Sequence, residues 1–305
     1  MKKRDLISLK DLSVVEMRKL LKSAFDIKAN PKKYSGSLKG KALALIFEKP
    51  SLRTRVSFDV GIHQLGGFSV YLSPNEISLG MRESIRDVAK TLEKMVQGIM
   101  VRTFAHEIVV DMAESACVPV INGLTDFSHP CQGLADYMTI AEVKKNIRKI
   151  KIAYIGDGNN VAHSLIYGAA LTGARLNVAT PPGYAPDDAV TRWAQGKARE
   201  TGCEIEVGHD AIEAASAADV IYTDVWTSMG QEKESAKRRR IFKPYQVNEA
   251  LFRKAKPDAV FMHCLPAHRG EEVTEGVLGS PRSIVFQQAE NRLHMQKAVM
   301  LSLMT

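Results

Sequence analysis

The segment 47–58 combines hydroxyl and guanidinium side chains at the predicted beginning of a helix. Ser51 supplies a helix-start signal, and Arg53 and Arg55 occupy the first turn. Acidic residues are normally favoured there, because the free N–H groups and the helix dipole make this end positive. Arginines in this position predict that an anion binds at the helix end, where backbone N–H groups and the Ser51 and Thr54 hydroxyls would hold a phosphate. The alternative is an ordinary Ser-capped helix with two solvated arginines.

Polar segments of this kind recur at the ends of predicted buried strands. The carboxyl ends of parallel strands meet at one edge of a sheet, and ligands bind there in open α/β sheets. Six such segments, spread over both halves of the chain, predict a cleft between two domains. They are Ser51–Thr54, Arg102, His129–Gln132, Gly156–Asn160, Asp224–Gly230 and His263–Pro266.

Some residues of these segments have both a chemical interpretation and a structural alternative. His129 precedes a proline at a helix start, where its imidazole could donate to a developing oxyanion, although a lone histidine is more often structural. Asn159 and Asn160 place amide groups at a helix N-terminus, which suits a carboxylate, but one of them is expected to be the N-cap. Asp224 and Ser228 predict a binding site in which an acidic side chain and a hydroxyl hydrogen-bond an ammonium group. A capped turn is the alternative for Ser228.

Two further patterns suggest cofactor or metal chemistry but are not supported by their surroundings. Gly156–Gly158 matches the beginning of a dinucleotide-binding fingerprint, yet the third glycine position is Val161 and the strand at 176–180 has no acid at its end. His263 and Cys264 are adjacent, and neighbours on an extended segment point to opposite faces, so they are not expected to bind a metal together. We therefore expect neither a nicotinamide cofactor nor a metal.

Length and composition restrict the class of protein. The chain has 305 residues, which favours two domains, and a net charge of +8, which is typical of nucleic-acid binders or of enzymes with anionic substrates. The basic run Lys237–Arg240 lacks interleaved aromatic residues and predicts a solvated helix face, so we expect no nucleic-acid partner. The four cysteines have neither disulfide nor metal-site spacing, and no secretory signal or membrane-spanning run is evident. A soluble, cytoplasmic protein without a membrane partner is expected.

Strand and helix patterns alternate along the whole chain in two series. The first series has predicted strands at 42–47, 69–72, 99–102 and 118–122. The second has them at 151–155, 175–180, 204–207, 219–223 and 259–262. Such alternation predicts an α/β fold of two domains, each a parallel sheet flanked by helices. We expect domains at 1–140 and 141–286, with a C-terminal helix in 287–305 that packs back toward the first domain.

Taken together, these segments resemble the aspartate/ornithine carbamoyltransferase family over essentially the whole chain. Ser51-Leu-Arg-Thr-Arg55 and His129-Pro-Cys-Gln132 resemble the family's carbamoyl-phosphate motifs. Three further features resemble the ornithine branch of this family in particular. They are Cys131, the loop from Asp224 through Ser228-Met229-Gly230, and His263-Cys264-Leu265-Pro266. The resemblance implies a two-domain α/β fold with the active site in the cleft between the domains and near a subunit interface.

The resemblance also implies residue roles, each carried to the matching position of this chain. Catalytic roles fall on Arg102, His129 and Cys264. Carbamoyl phosphate would be bound by Ser51, Leu52, Arg53, Thr54, Ser78, Arg102, His129, Pro130, Cys131, Gln132, Cys264, Leu265 and Arg292. Ornithine would be bound by Asn160, Asp224, Ser228 and Met229.

The implied reaction transfers the carbamoyl group of carbamoyl phosphate to the δ-amine of L-ornithine, giving L-citrulline and phosphate, as in arginine biosynthesis or a urea-cycle-type step. Gln132 and the Leu265 carbonyl would accept from the carbamoyl nitrogen, and the substrate phosphate would take the amine proton. The resemblance therefore implies no metal and no cofactor. It further implies a homo-oligomer, either a trimer or an assembly of trimers.

Two departures from the family pattern bear on this interpretation. Leu52 stands where threonine is common, with little consequence if its backbone does the binding. Ser78 stands where the ornithine branch commonly has glutamine, and Met81-Arg82 replaces a usual Arg-Gly, so Ser78 or Arg82 would complete a neighbouring subunit's site. The alternatives are transfer to another amine such as putrescine or an acylated ornithine, a catalytically silent scaffold, and a nucleotide-dependent dehydrogenase.

Overall fold

The computed structural model of the protein describes residues 4–77, 79 and 82–305, so Ser78 and Met81 lie outside the described residues. The described chain divides into two compact units. Unit 1 contains the residues up to Met138 together with Glu290–Thr305, and unit 2 is Thr139–Ala289.

Unit 1 is built on a parallel sheet. The strands in its described part are β1 (Ala42–Phe47), β2 (Phe68–Leu72), β3 (Gly98–Arg102) and β4 (Val120–Leu124). Hydrogen-bonded neighbours follow the order β2-β1-β3-β4, and every pair is parallel. The helices are α1 (Val14–Ala29), α2 (Leu52–Gln64), α3 (Pro74–Ile77), α4 (Ile85–Leu92), α5 (His106–Ser115) and α6 (Pro130–Lys144).

Local sequence signals account for these elements. Ser13 and Glu16 form a reciprocal capping box at the start of α1, and the Ser51 side chain accepts from the Thr54 N–H at the start of α2. All six residues of β1 are buried, because helices cover both faces of a parallel sheet. The predicted helix starts and the apolar strand are therefore set by short-range features of the chain.

The strand predicted at 118–122 is displaced by two residues, since β4 begins at Val120. Pro119 has no N–H for a strand ladder, and its carbonyl accepts from the Ile99 N–H at 2.9 Å. The sequence also gave no sign that Leu6 pairs with Ile121 in a parallel bridge. The Leu6 N–H donates to the Val120 carbonyl at 2.9 Å, so the N-terminal segment extends this edge of the sheet.

Unit 2 contains a second parallel sheet. Its strands are β5 (Lys151–Ile155), β6 (Arg175–Ala179), β7 (Glu204–Gly208), β8 (Val220–Thr223) and β9 (Val260–His263). Their order among the described residues is β7-β6-β5-β8-β9. The helices are α7 (Asn160–Thr172), α8 (Asp188–Thr201), α9 (Ala211–Ala215), α10 (Ser235–Phe242), α11 (Glu249–Phe252), α12 (Glu275–Leu278) and α13 (Val285–Met304), the last of which continues into unit 1.

The topology of each sheet gathers the polar segments at its carboxyl edge. In unit 1 the strand order reverses at β1, and β1, β3 and β4 lead into the residues around Ser51, Arg102 and His129. In unit 2 the strand order reverses at β5. The segment that contains Asn160 follows β5, the segment that contains Asp224 follows β8, and a third segment follows His263 at the end of β9. The predicted α/β fold with two parallel sheets flanked by helices is confirmed. Within the described part of the chain, no helix has both the length and the apolar character to cross a membrane.

Candidate active site

The first turn of α2 places hydroxyl and backbone N–H groups side by side in unit 1. The Ser51 Oγ lies 3.1 Å from the Thr54 Oγ1 and accepts from the Thr54 N–H at 3.3 Å. Thr54 is fully buried, whereas Leu52 is 73% exposed. This described turn contains no acid, so the helix end stays positive. The Arg55 guanidinium stacks on the Tyr71 ring, 3.9 Å from its centre, and not beside the Ser51 and Thr54 hydroxyls.

His129 lies among arginine side chains of unit 1. Arg102 is the last residue of β3, His129 directly precedes α6, and both are buried. Burial lowers the pKa of His129 well below its usual value, and the positive charges of Arg292, Arg102 and Arg53 lower it further. The imidazole is therefore neutral near pH 7. A neutral N–H donor surrounded by guanidinium groups suits a phosphate dianion next to a carbonyl oxygen that gains negative charge.

Arg292, from α13, connects two of the predicted ligand-binding segments. Its Nη1 donates to the Gln132 Oε1 at 2.6 Å, and its Nη2 donates to the Thr54 Oγ1 at 3.2 Å. All three side chains are buried. The structure therefore brings residues from α2, α6 and α13 to one point, although 160 positions separate Gln132 from Arg292 along the chain.

The first residues of α6 serve the helix and the core. Pro130 occupies the first helical position, where its missing N–H costs no hydrogen bond. The Cys131 thiol donates to the Asn122 carbonyl at 3.4 Å, and burial raises the pKa of Cys131 to about 11. The side chain of Cys131 is thus a protonated thiol packed against β4.

Two polar contacts that the sequence analysis missed connect the loops at the carboxyl edge of the unit 1 sheet. Lys49 is buried, pairs with the Asp126 carboxylate and lies 4.1 Å from the centre of the Phe104 ring. The Glu48 carboxylate accepts from the Thr103 hydroxyl. These contacts connect the loop that carries Ser51 to the loops after β3 and β4. A charged pair directly after a buried strand was the available signal in the sequence.

In unit 2, Asp224 directly follows β8 and accepts two hydrogen bonds. The Asn159 Nδ2 donates to one carboxylate oxygen at 2.8 Å, and the Cys264 thiol donates to the other at 2.9 Å. Asn159 is also the N-cap of α7, since its Oδ1 accepts from the Val161 N–H at 2.9 Å. Asn160 is therefore the first residue of α7 and not its cap.

A buried ion pair that is not apparent from the sequence lies beside this carboxylate. The Arg238 Nη2 donates to the Asp157 carboxylate, and its Nε donates to the Trp226 carbonyl. Burial raises the pKa of Asp157 to about 6; Arg238 opposes this increase and the nearby Asp224 charge adds to it. Arg238 thereby connects the loop after β5 to the loop after β8.

The expectation that His263 and Cys264 point to opposite sides is wrong. Ring nitrogen, thiol and carboxylate atoms of His263, Cys264 and Asp224 lie within 4.8 Å of one another. The chain leaves strand geometry after His263, and Leu265 has a φ of 58°, so the alternation of a strand does not continue. The Leu265 N–H donates to the His263 Nδ1 at 2.8 Å, and the Nε2 lies 3.2 Å from the Glu272 carboxylate. Both ring nitrogens of His263 are thus engaged within the protein.

The remaining predicted residues lie on loops. Ser228 and Met229 follow β8. The Ser228 N–H donates to the Gln231 Oε1 at 3.1 Å, and Met229 is 41% exposed. Ser78 lies outside the described residues, and the Arg82 guanidinium donates to the Glu76 carbonyl at 3.4 Å. The contacts of this part of the chain do not assign a ligand to either loop.

The glycine-rich turn after β5 is occupied by the chain itself. A Cβ at Gly158 would lie 2.3 Å from the Pro186 nitrogen, and the Gly158 N–H donates to the Tyr184 carbonyl at 2.9 Å. The close backbone approach that a dinucleotide pyrophosphate would make is thus made by the segment 184–186. This observation agrees with the departures from the dinucleotide fingerprint at Val161 and after β6.

Family comparisons match both halves of the chain. The family model described as aspartate/ornithine carbamoyltransferase, carbamoyl-P binding domain, matches residues 4–142. The model described as aspartate/ornithine carbamoyltransferase, Asp/Orn binding domain, matches residues 148–303.

Individual relatives are similar over nearly their whole length. A protein of Thermococcus kodakarensis named ornithine carbamoyltransferase is 56% identical over 303 residues, which are 99% of this chain and 96% of the relative. One of Pyrococcus furiosus, named ornithine carbamoyltransferase, anabolic, is 54% identical over 99% of this chain and 96% of the relative. A solved structure of ornithine carbamoyltransferase from Pyrococcus furiosus has a TM-score of 0.95 at 54% identity, covering 99% of this chain and 97% of that one.

Proposed function

The chain belongs to the aspartate/ornithine carbamoyltransferase family, and we propose from this that it transfers the carbamoyl group of carbamoyl phosphate to the δ-amine of L-ornithine, giving L-citrulline and phosphate. The observation that carries the proposal is identity above 50% along the full chain to proteins that bear this name. We assign carbamoyl phosphate to the domain at 1–140 and ornithine to the domain at 141–286, with 287–305 as a C-terminal helix. The descriptions of the two matching family models support that assignment.

The phosphate group of carbamoyl phosphate is assigned to the first turn of α2. Ser51, Thr54 and the backbone N–H of Leu52 are donors at a positive helix end, and Arg53 and Arg102 supply positive charge. Phosphate is the leaving group of the reaction, so its negative charge rises as the bond to carbon breaks. Fixed donors and cations stabilise that charge without having to reorganise.

The carbonyl group is assigned to His129, Arg102 and Thr54. Nucleophilic attack places negative charge on the carbonyl oxygen, and these donors stabilise it. His129 contributes as a neutral N–H donor, because burial and the surrounding arginines hold its pKa well below the usual value. Gln132 accepts from the carbamoyl nitrogen in this assignment, with Arg292 beside the same group.

The ornithine assignment falls on unit 2. Asp224 provides a buried carboxylate for an ammonium group, together with Ser228 and Met229, while Asn160 at the start of α7 receives the carboxylate. The Cys264 thiol donates a hydrogen bond to the Asp224 carboxylate. In this assignment Cys264 lies close to the attacking amine.

The proposed reaction is balanced by its two substrates. The neutral δ-amine forms a C–N bond to the carbonyl carbon, the C–O bond to phosphate breaks, and the departing phosphate takes the amine proton. No metal or cofactor enters this sequence of steps. The protein contributes position, charge and hydrogen bonds, which together act on both the nucleophile and the leaving group.

We further propose a homo-oligomer, a trimer or an assembly of trimers, in which Ser78 or Arg82 reaches a neighbouring subunit's site. An apolar stripe on the outer face of α2, spaced every four residues, supports an interface: Leu52, Val56 and Val60 are all exposed. Edge strand β2 adds the exposed Phe68. Val56→Glu is expected to shift the protein toward monomer in sedimentation velocity, whereas Val15→Glu, at an exposed position of α1, should not. An unchanged sedimentation coefficient for Val56→Glu would contradict the proposed interface.

The name of the Pyrococcus furiosus relative supports the direction of citrulline synthesis, which we propose here. A reducing, cytoplasmic location is also proposed, and the free thiols of the four cysteines support it.

The test is carbamoyl transfer to ornithine, putrescine, N-acetylornithine and aspartate in parallel, with phosphate release and carbamoylated product both measured. Strong preference for ornithine is expected. Asp224→Asn should weaken use of ornithine while leaving the affinity for carbamoyl phosphate unchanged, because Asp224 is assigned only to the amine substrate. Preference for another amine would refute the ornithine assignment, and no transfer to any amine would refute the proposed reaction.

A further inference from the structure

We propose that Asp136 is a positioning residue that fixes the orientation of the Gln132 amide, so that its oxygen and not its nitrogen faces the amide group of the acyl phosphate. The proposal rests on the proposed function, because it concerns how unit 1 distinguishes a carbamoyl group from other acyl groups of the same size. Nothing in the sequence motif singles out Asp136 for this task.

The orientation of the Gln132 amide is set from both sides. Gln132 and Asp136 lie four residues apart on one face of α6, and the Gln132 Nε2 donates to the Asp136 Oδ1 at 2.8 Å. On the other side, the Arg292 Nη1 donates to the Gln132 Oε1 at 2.6 Å. A carboxylate only accepts and a guanidinium only donates. A flipped amide would therefore place N–H groups against the guanidinium and oxygen against the carboxylate, so a single orientation is stable.

Arg292 is itself held by a second amide. Gln296, with its oxygen toward the guanidinium, accepts from the Arg292 Nη2 at 2.9 Å and from the Nε at 3.1 Å. In the same orientation its nitrogen donates to the Arg292 carbonyl and to the Ser57 Oγ, both at 2.5 Å. The opposite orientation would face donor to donor and acceptor to acceptor. Gln296 therefore fixes the guanidinium that faces Gln132.

The same guanidinium also determines the polarity of Thr54. The Thr54 Oγ1 accepts from the Arg292 Nη2 at 3.2 Å, so the hydroxyl must direct its own proton away from Arg292. Unit 1 thus has a fixed acceptor at Gln132 and a fixed donor at Thr54, on either side of one arginine. A carbamoyl group offers the complementary pair, a nitrogen that donates and an oxygen that accepts.

This polarity predicts a discrimination between two acyl phosphates of nearly equal shape. Acetyl phosphate has a methyl group where carbamoyl phosphate has an NH₂ group, so it leaves the buried Gln132 oxygen without a donor from the ligand. A site that is built to hydrogen-bond a substrate N–H disfavours the analogue that lacks it. If Asp136 no longer held the amide, Gln132 would rotate more freely, and this discrimination would fall.

The experiment measures binding of carbamoyl phosphate, acetyl phosphate and inorganic phosphate, without ornithine, to the wild type and to Asp136→Asn and Asp136→Ala. The ratio of carbamoyl-phosphate affinity to acetyl-phosphate affinity is expected to fall about tenfold in Asp136→Ala, the value of one hydrogen bond. The affinity for inorganic phosphate, which has no carbamoyl amide to contact Gln132, should change less than the affinity for carbamoyl phosphate. Met138→Leu, a buried substitution of similar volume on the same helix, should leave the ratio unchanged.

An equal loss for all three ligands, or an unchanged ratio, would overturn the proposal and leave Asp136 a purely structural residue. Asp136→Asn has the shape of the native residue and decides the question if Asp136→Ala does not fold. Its amide can accept from Gln132 in one orientation and not in the other, so an intermediate fall in the ratio is expected. Failure of the proposed function is a separate result, namely wild-type protein that forms no citrulline.

Discussion

Replacement of Arg238 by methionine tests the buried ion pair of unit 2. The Arg238 guanidinium contacts the Asp157 carboxylate and the Trp226 carbonyl, and it lies 4.9 Å from the centre of the Tyr184 ring. Arg238 and Asp157 are both buried. Methionine has a similar length and keeps the apolar contact with the ring, so the substitution removes mainly the charge and the hydrogen bonds.

The expected loss of stability is large because only one partner of the pair is removed. Breaking a buried ion pair in this way costs about 3–5 kcal/mol, since a buried carboxylate is left without its counter-charge. The hydrogen bond to the Trp226 carbonyl contributes about 1 kcal/mol. We expect the free energy of unfolding to fall by about 4 kcal/mol at pH 8, which corresponds to a decrease in Tm of roughly 10 °C for a unit of this size.

The loss should depend on pH in a direction that the pKa of Asp157 determines. Burial raises this pKa to about 6 even with Arg238 present, so Asp157 is ionised at pH 8 and largely protonated at pH 5. Without Arg238 the pKa rises further, and the folded variant binds a proton over a range where the folded wild type has released it. Proton binding by the folded state favours folding, and the folded variant keeps this proton to a higher pH than the folded wild type. The stability of the wild type therefore gains on that of the variant as the pH rises through 6, and the difference in the free energy of unfolding is smallest at pH 5. Each additional unit of pKa is worth about 1.4 kcal/mol.

Urea unfolding at pH 5 and pH 8 measures this dependence. Arg240→Met is the matched control, because Arg240 lies on the same helix and is exposed. Since Trp226 lies two residues beyond Asp224, the KM for ornithine should also rise while the KM for carbamoyl phosphate does not. An equal loss of stability at both pH values, or a loss no larger than that of Arg240→Met, would refute the reasoning.

Three further predictions concern single residues. His129→Ala should lower kcat about 10²- to 10³-fold, because a donor to the developing oxyanion is lost, and a normal rate of citrulline formation would contradict the assigned role. Cys264→Ser keeps a donor for Asp224 and should retain more activity than Cys264→Ala in the same assay; equal activities would show that the bond to Asp224 is unimportant. Cys117 is exposed and should react first with a thiol reagent. Cys131 is buried and its pKa is raised to about 11, so it should react only after unfolding. Mass mapping measures the sites of labelling, and rapid labelling of Cys131 in the native protein would contradict this prediction.

Local features of the sequence determined the elements of the fold and the position of its polar segments. The apolar run of β1 and the caps at Ser13 and Ser51 act within a few residues, so they are visible without a structure. Parallel sheets then require that the carboxyl ends of the strands share an edge, which is why segments around Ser51 and Asp224 could be predicted as ligand-binding. Which of them hold which substrate stays a prediction.

Periodicity failed where the backbone departs from regular geometry. The strand predicted at 118–122 begins later because Pro119 has no N–H, and the alternation assumed for His263 and Cys264 ends with the turn at Leu265. A pattern of apolar and polar residues records the average geometry of an element. It does not record the residue at which that geometry stops.

Only the tertiary structure decided which charged and amide groups are buried together. Lys49 pairs with Asp126 across 77 positions, and Arg238 pairs with Asp157 across 81. Arg292 fixes both Gln132 and Thr54 from the far end of the chain. Burying a charge costs free energy, and a nearby partner of opposite charge or a hydrogen-bonding group offsets that cost. Packing of the folded chain brings these partners together, so their spacing in the sequence does not predict the contact.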